Sequence, residues 1–181
     1  MKERIYISLS NEKTIPEAIQ ELEKYKESLI NKSELFIKRL ADIGVTVAKT
    51  AIADASGDSD KDVSFLVTIN TLEGDVKGKI TISSTPHTDK DGRVFYPHLA
   101  WEFGAGIFYN NGNINPKASE FNLGVGSFPN QTHALNDYWW YRDEAGNLHF
   151  SKGTEAAMPM YKASLEMISR IEEIAKEVFN G

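Results

Sequence analysis

Apolar residues recur at spacings of three, four and seven through the first third of the chain: Ile15, Ile19, Leu22, Leu29, Phe36, Leu40, Ile43 and Val47. That period places them on one stripe of a long helix. Thr14-Ile-Pro-Glu17 reads as its start, with Thr14 able to cap, Pro16 tolerated in the first turn and Glu17 completing a capping box. The pattern predicts a helix over 14–55, stopped at Ser56-Gly57. Gly44 is expected to weaken or bend it, since glycine inside a helix costs about 1 kcal/mol relative to alanine. Ahead of the helix, Ile5, Ile7 and Leu9 alternate and predict a short strand over 2–9.

The period then changes to two. Val63, Phe65, Val67 and Ile69 stand at alternate positions, Ile80 and Ile82 do the same, and Glu73-Gly74 lies between, so 63–84 reads as a hairpin. A second hairpin is expected over 138–151, turning through Asp143 to Asn147. The helical period returns in Tyr161, Leu165, Ile168, Ile171, Ala175 and Val178, with Pro159 at the entrance, and predicts a closing helix over 159–179. Together these elements predict a single α+β domain: an antiparallel sheet of about four or five strands covered by a long N-terminal helix and a C-terminal helix.

One stretch follows neither period. From Gly104 to Asp137, seven of 34 positions are Asn and five are Gly, yet the segment holds Phe108, Tyr109, Phe121 and Phe128. Long segments without secondary structure are uncommon in compact domains unless they bind something. This one is too apolar for an inert linker, so 104–137 is expected to be a long loop or assembly arm. It opens with Ala100-Trp-Glu-Phe-Gly104, whose alternation reads as the end of a core strand. In that reading Trp101 and Phe103 face the core, while Glu102 faces outward, capping a backbone amide or pairing with a neighbouring subunit.

Composition narrows the function classes. The 181 residues carry a net charge of −6, and neither half of the chain offers a basic patch, which argues against nucleic-acid affinity. No cysteine is present, excluding disulfides, thiolate metal sites and cysteine nucleophiles. The start lacks the apolar run of a signal peptide and no window reaches membrane-span length, so a reducing cytoplasm is expected.

Candidate chemistries each lack a required partner. Asp58-x-Asp60-x-Asp62 opens like a calcium loop, but Val63 replaces the needed glycine and Ile69 the bidentate acid. His87, His98, His133 and His149 are scattered, with no pair at metal-ligand spacing. The two Gly-x-Gly triplets, at 104–106 and 124–126, have neither the third glycine of a dinucleotide turn nor the Lys of a P-loop. No cofactor, metal or catalytic residue is expected. A small hydrolase using Glu102, His98 and His133 stays open as an alternative. So does a peptide- or carbohydrate-binding module using Trp139 and Trp140, because adjacent strand residues point to opposite faces and one of the two rings must face outward.

The order of features resembles the tail-component family of long-tailed bacteriophages, the small neck or tail-completion proteins encoded beside head–tail connector genes. Members carry an Glu-Phe-Gly-Thr-Gly segment, a Trp-x-Tyr segment and a Lys-Gly segment leading to Pro-Phe-Met-Tyr and a closing helix. Glu102, Phe103, Gly104 and Gly106 match the first, with Ala105 in place of Thr. Trp140 and Tyr141 match the second loosely. Lys152, Gly153, Ala157, Pro159, Met160 and Tyr161 match the third, with Met158 where proline is common. Similar proteins occur in phage-tail-like bacteriocins. The resemblance implies a non-enzymatic virion protein, assembled in the bacterial cytoplasm, that forms a ring with its own copies. It would contact head-closure, connector, tail-terminator or tail-tube proteins. Candidate interface residues are Glu102, Phe108, Tyr109, Phe121, Phe128, Trp139 and Trp140.

Overall fold

In a computed structural model, the described residues are 14–56, 63–88, 92, 94–106, 114–122, 133, 136–142 and 145–180. The strand expected over 2–9 and the Asp58–Asp62 run lie outside them. Helix α1 spans Thr14–Ser56 as one uninterrupted element. Gly44 does not interrupt it, and the glycine has a packing reason. A Cβ there would lie 2.7 Å from the Met167 sulfur and 2.8 Å from Ile80 Cδ1, so its missing side chain lets two other elements close on α1.

Those elements are a hairpin and the closing helix. Strands β1 (Val63–Leu72) and β2 (Asp75–Ser84) pair antiparallel from Val63↔Ser84 to Leu72↔Asp75. Glu73 and Gly74, both at positive φ, form the two-residue turn that the strand twist favours. The face carrying Phe65, Val67, Ile80 and Ile82 lies on α1, with Gly78 against Ile37 and the Thr71 hydroxyl donating to Glu34 at 2.6 Å. The C-terminal helix, called α3 here, spans Pro159–Asn180 and runs antiparallel to α1. Ala48 on α1 and Ala163 on α3 are fully buried, so small side chains let the two axes approach, and Ile52 seals the interface. At the far end Phe36 meets Phe179 and Arg39 pairs with Glu177 at 2.9 Å.

Two expectations change. The expected single sheet is, among the described residues, four separate two-stranded pairings: β1–β2; β3 (His87–Thr88) with β4 (Val94–Phe95); β5 (Ala105–Gly106) with β8 (Gly153–Thr154); and β6 (Trp139–Arg142) with β7 (Leu148–Ser151). The apolar face of β1–β2 is covered by α1, whereas the face of β6–β7 that carries Trp140 and Phe150 stays exposed. The α1 stripe, second, is continuous in sequence but only half covered. Phe36, Leu40, Ile43 and Val47 are half-buried, whereas Ile15, Ile19, Leu22 and Leu29 remain exposed. Helix α3 has only 22 residues and ends beside Lys32, leaving the first turns of α1 beyond its reach.

On α3 the buried positions are Pro159, Ala163, Ile174 and Val178, while Leu165, Ile168 and Ile171 face outward. Periodicity found the helix but not which of its two apolar edges would be buried.

Candidate functional site

The segment read as a strand end is helical. Pro97, whose missing N–H is no loss at a first helical position, opens α2 (Pro97–Phe103), and the Gly104 amide closes it by donating to the Ala100 carbonyl at 2.8 Å. In a helix Glu102 no longer alternates outward. It points at the start of α3, where backbone N–H groups have no intrahelical acceptor.

The Glu102 carboxylate takes those donors. Oε2 accepts the Met160 N–H at 2.8 Å, and Oε1 accepts the Tyr161 N–H at 3.1 Å. Helix α3 has no acidic residue in its own first turn. A carboxylate reaching across from α2 therefore satisfies its amides and complements its positive dipole end. Asn115, 2% exposed, completes the node. Its Nδ2 donates to Glu102 Oε1 at 2.7 Å and to the Glu102 carbonyl at 3.2 Å, and its Oδ1 accepts the Lys117 N–H. Burial pushes the Glu102 carboxyl above its usual range, while the Met160, Tyr161 and Asn115 donors and the Lys162 charge pull it back.

Two further connections join the same segments. The Trp101 carbonyl accepts the N–H groups of Ala157 and Met158. Ala105 and Gly106 pair with Thr154 and Gly153 in β5–β8. Gly153 stands at φ +98°, and a Cβ there would lie 2.1 Å from the Ala105 carbonyl oxygen. Beneath α2, Phe103 and Ala118 form a small core with Phe95 and Leu99, and Phe121 meets Phe103 edge-on at 6.1 Å while staying exposed. Part of the expected 104–137 arm is thus structural: β5 belongs to a ladder and Asn115–Phe121 lies on α2.

No protein-family model, curated protein or solved structure matches the chain.

Of the two alternatives, the hydrolase residues are each engaged separately. His98 Nδ1 lies 2.8 Å from the Ser84 hydroxyl, Glu102 serves α3, and His133 stacks on Trp139 at 4.6 Å between ring centroids. Among the described residues no group of three His, Asp or Glu side chains is placed to hold a metal, and no helix is long and apolar enough to cross a membrane. Burial lowers the His98 pKa from its ordinary 6.5. A lowered value means that the unfolded chain takes up the proton first. This contribution to stability is therefore present above pH 6.5 and is lost as pH falls through the folded value. An NMR titration should place His98 below 6.5; an ordinary or higher value would contradict a buried, Ser84-bonded ring.

The two tryptophans separate as their strand requires. Trp139 is half-buried against His133 and Gly106, where a Cβ would touch its ring at 2.8 Å. Trp140 is 57% exposed. Its register partner is Phe150, 5.1 Å away between centroids, and Tyr138 joins Phe150 at 5.6 Å. Phe108, Tyr109 and Phe128 lie outside the described residues. Sequence reasoning missed Asn115 and the Ser84–His98 pair; only Asn115-Pro116, a turn-forming dipeptide, gave a local signal.

Proposed function

We propose that this chain is a structural protein of a phage neck or tail end, joining head to tail or completing the tail by assembling as a ring. The observation that carries the reading is the convergence of three segments at one node. Glu102–Gly106, Lys152–Thr154 and Ala157–Tyr161 are the stretches that resemble the tail-component family, and they are tied together by the Glu102 carboxylate, the Trp101 carbonyl and the β5–β8 pairing. Residues that shape a backbone crossing need no chemistry of their own to recur together. Exposed aromatic surface on β6–β7 and uncovered apolar helix on α1 further support a protein that finishes its packing on neighbours.

The partners in this reading are other copies of the chain and the connector, terminator or tube proteins of the particle, with the virion as its location. Particles produced without the protein should accumulate as unjoined heads or overlong tails in electron micrographs; normally joined particles would overturn the reading. The arm has its own test. Shortening 124–131 spares Asn115–Phe121, and should leave the melting temperature unchanged while reducing the yield of joined particles. Full yield from that variant would remove the arm from the assembly.

A further inference from the structure

Within the stretch expected to be an arm, Asn115–Phe121 is held on α2 as a separable piece. Its backbone hydrogen bonds are its own: the N–H groups of Ala118, Glu120 and Asn122 donate to the carbonyls of Asn115, Lys117 and Ser119. Its ion pair, Lys117 with Glu120, is internal as well. Three side chains tie it to α2. The Asn115 amide donates to the Glu102 carboxylate and carbonyl, Ala118 packs on Phe103, and the Phe121 ring meets Phe103 edge-on. Asn115 and Ala118 are buried, whereas Ile114 and Phe121, at 54% and 63% exposure, keep most of their apolar surface in water. The seat therefore uses little of what the segment offers. One buried methyl, one partly covered ring and the hydrogen bonds of one amide return less than the conformational entropy of fixing the backbone from Asn115 to Phe121. Segments with so few buried contacts open locally, without global unfolding.

Leaving α2 breaks no ladder. Both ends of the excursion depart from one point, since a Cβ on Gly106 would lie 2.8 Å from the Trp139 ring, and these two residues sit in the β5–β8 and β6–β7 pairings. Glu102 keeps the Met160 and Tyr161 N–H groups whether or not Asn115 is beside it. The chain from Gly106 to Ile114 reaches roughly 27 Å when extended, more than twice the about 10–12 Å width of a helix. What an emptied seat presents is specific. Two acceptors at residue 102 suit one primary amide, beside an apolar floor of Phe95, Leu99 and Phe103. The same segment of another copy satisfies both through contacts the fold already makes.

We infer that Asn115–Phe121 is exchanged between copies of this chain, leaving its own α2 and taking the same seat on α2 of the next copy. The exchange creates no interface that the single chain lacks, which makes it a low-cost route to assembly. Segment and seat are different surfaces, so the contact runs head-to-tail and closes as a ring where the rotation permits. The inference rests on the ring reading above and names the piece that links its subunits.

The protein has no cysteine of its own, which allows a mixing test with full-length chains. A chain carrying Phe121→Cys is mixed at high concentration with a longer, tagged chain carrying Phe103→Cys and then oxidised. A disulfide-linked heterodimer should appear on a non-reducing gel, severalfold more abundant than from the same first chain and a tagged Leu72→Cys chain. Leu72 is 75% exposed and Phe103 7%, so chance collision would favour the control. Adding Asn115→Ala to the first chain should bring the heterodimer down to the control level. The pair Ala118→Cys with Leu99→Cys reads the same seat and keeps both aromatic rings. Heterodimer at or below the control in both pairs, or unmoved by Asn115→Ala, would overturn the exchange. If the heterodimer forms as expected but particles lacking the protein are joined normally, the exchange stands and the phage reading fails. If joining needs the protein and the heterodimer is absent, the phage reading stands and the exchange falls.

Discussion

Replacing Glu102 with alanine is expected to lower the unfolding free energy by about 3 kcal/mol, because it strands the Met160 and Tyr161 N–H groups and leaves the Asn115 amide with only the residue-102 carbonyl as acceptor, and a buried donor left unpaired costs about 1–3 kcal/mol. For a chain of this size that corresponds to a fall of about 10 °C in melting temperature. Glu102→Gln keeps one acceptor oxygen and should cost about half as much. A change under 1 kcal/mol for alanine, measured by denaturant titration, would mean that water replaces the carboxylate and that the node does not hold α2 to α3.

The pH dependence of the same pair tests the electrostatics. Burial raises the Glu102 pKa above 4.5 in the folded chain. The native state therefore binds this proton more tightly than the unfolded chain does. Its contribution is fully present below pH 4.5 and is lost as pH rises through the folded value. The stability gap between wild type and Glu102→Gln should accordingly widen on acidification from pH 7 to pH 4, other carboxylates cancelling in the difference. A gap that narrows would show that the three donors outweigh burial.

Gly153→Ala is expected to cost about 3 kcal/mol as well, from backbone strain of about 1–3 kcal/mol at positive φ together with a clash that must part β5 from β8. The clashing atom is the Ala105 carbonyl oxygen, which cannot swing aside as a side chain can. Gly146→Ala is the control. It too has positive φ, +85°, but a Cβ there meets nothing within 4 Å, so it should show strain alone, about 1 kcal/mol. Equal losses at the two sites would mean that the close approach of β5 and β8 contributes nothing beyond strain.

Elements held by local rules were legible in the chain itself. The Glu73-Gly74 turn with its alternating strands, the helical run of α1 and the Pro159 opening of α3 follow from periods and turn residues within a few positions of one another. The opposite-facing tryptophans follow from the strand period in the same way. Ala100–Gly104 defeated this reasoning because five residues of apparent alternation fit a strand as well as about one and a half helical turns. Pro97 was the deciding signal, and it lay outside the motif.

By itself, then, the sequence determined the α+β class, the two long helices, the hairpins and the segments that resemble a phage tail component. Tertiary structure alone decided that Glu102 turns inward to cap α3, that Asn115 is buried beside it, that Gly44 lies where Met167 and Ile80 close on α1, and that half of the α1 stripe stays exposed. The physical reason is common to all four. Periodicity reports which side chains share a face, whereas what covers that face depends on the lengths and meeting points of other elements of the chain.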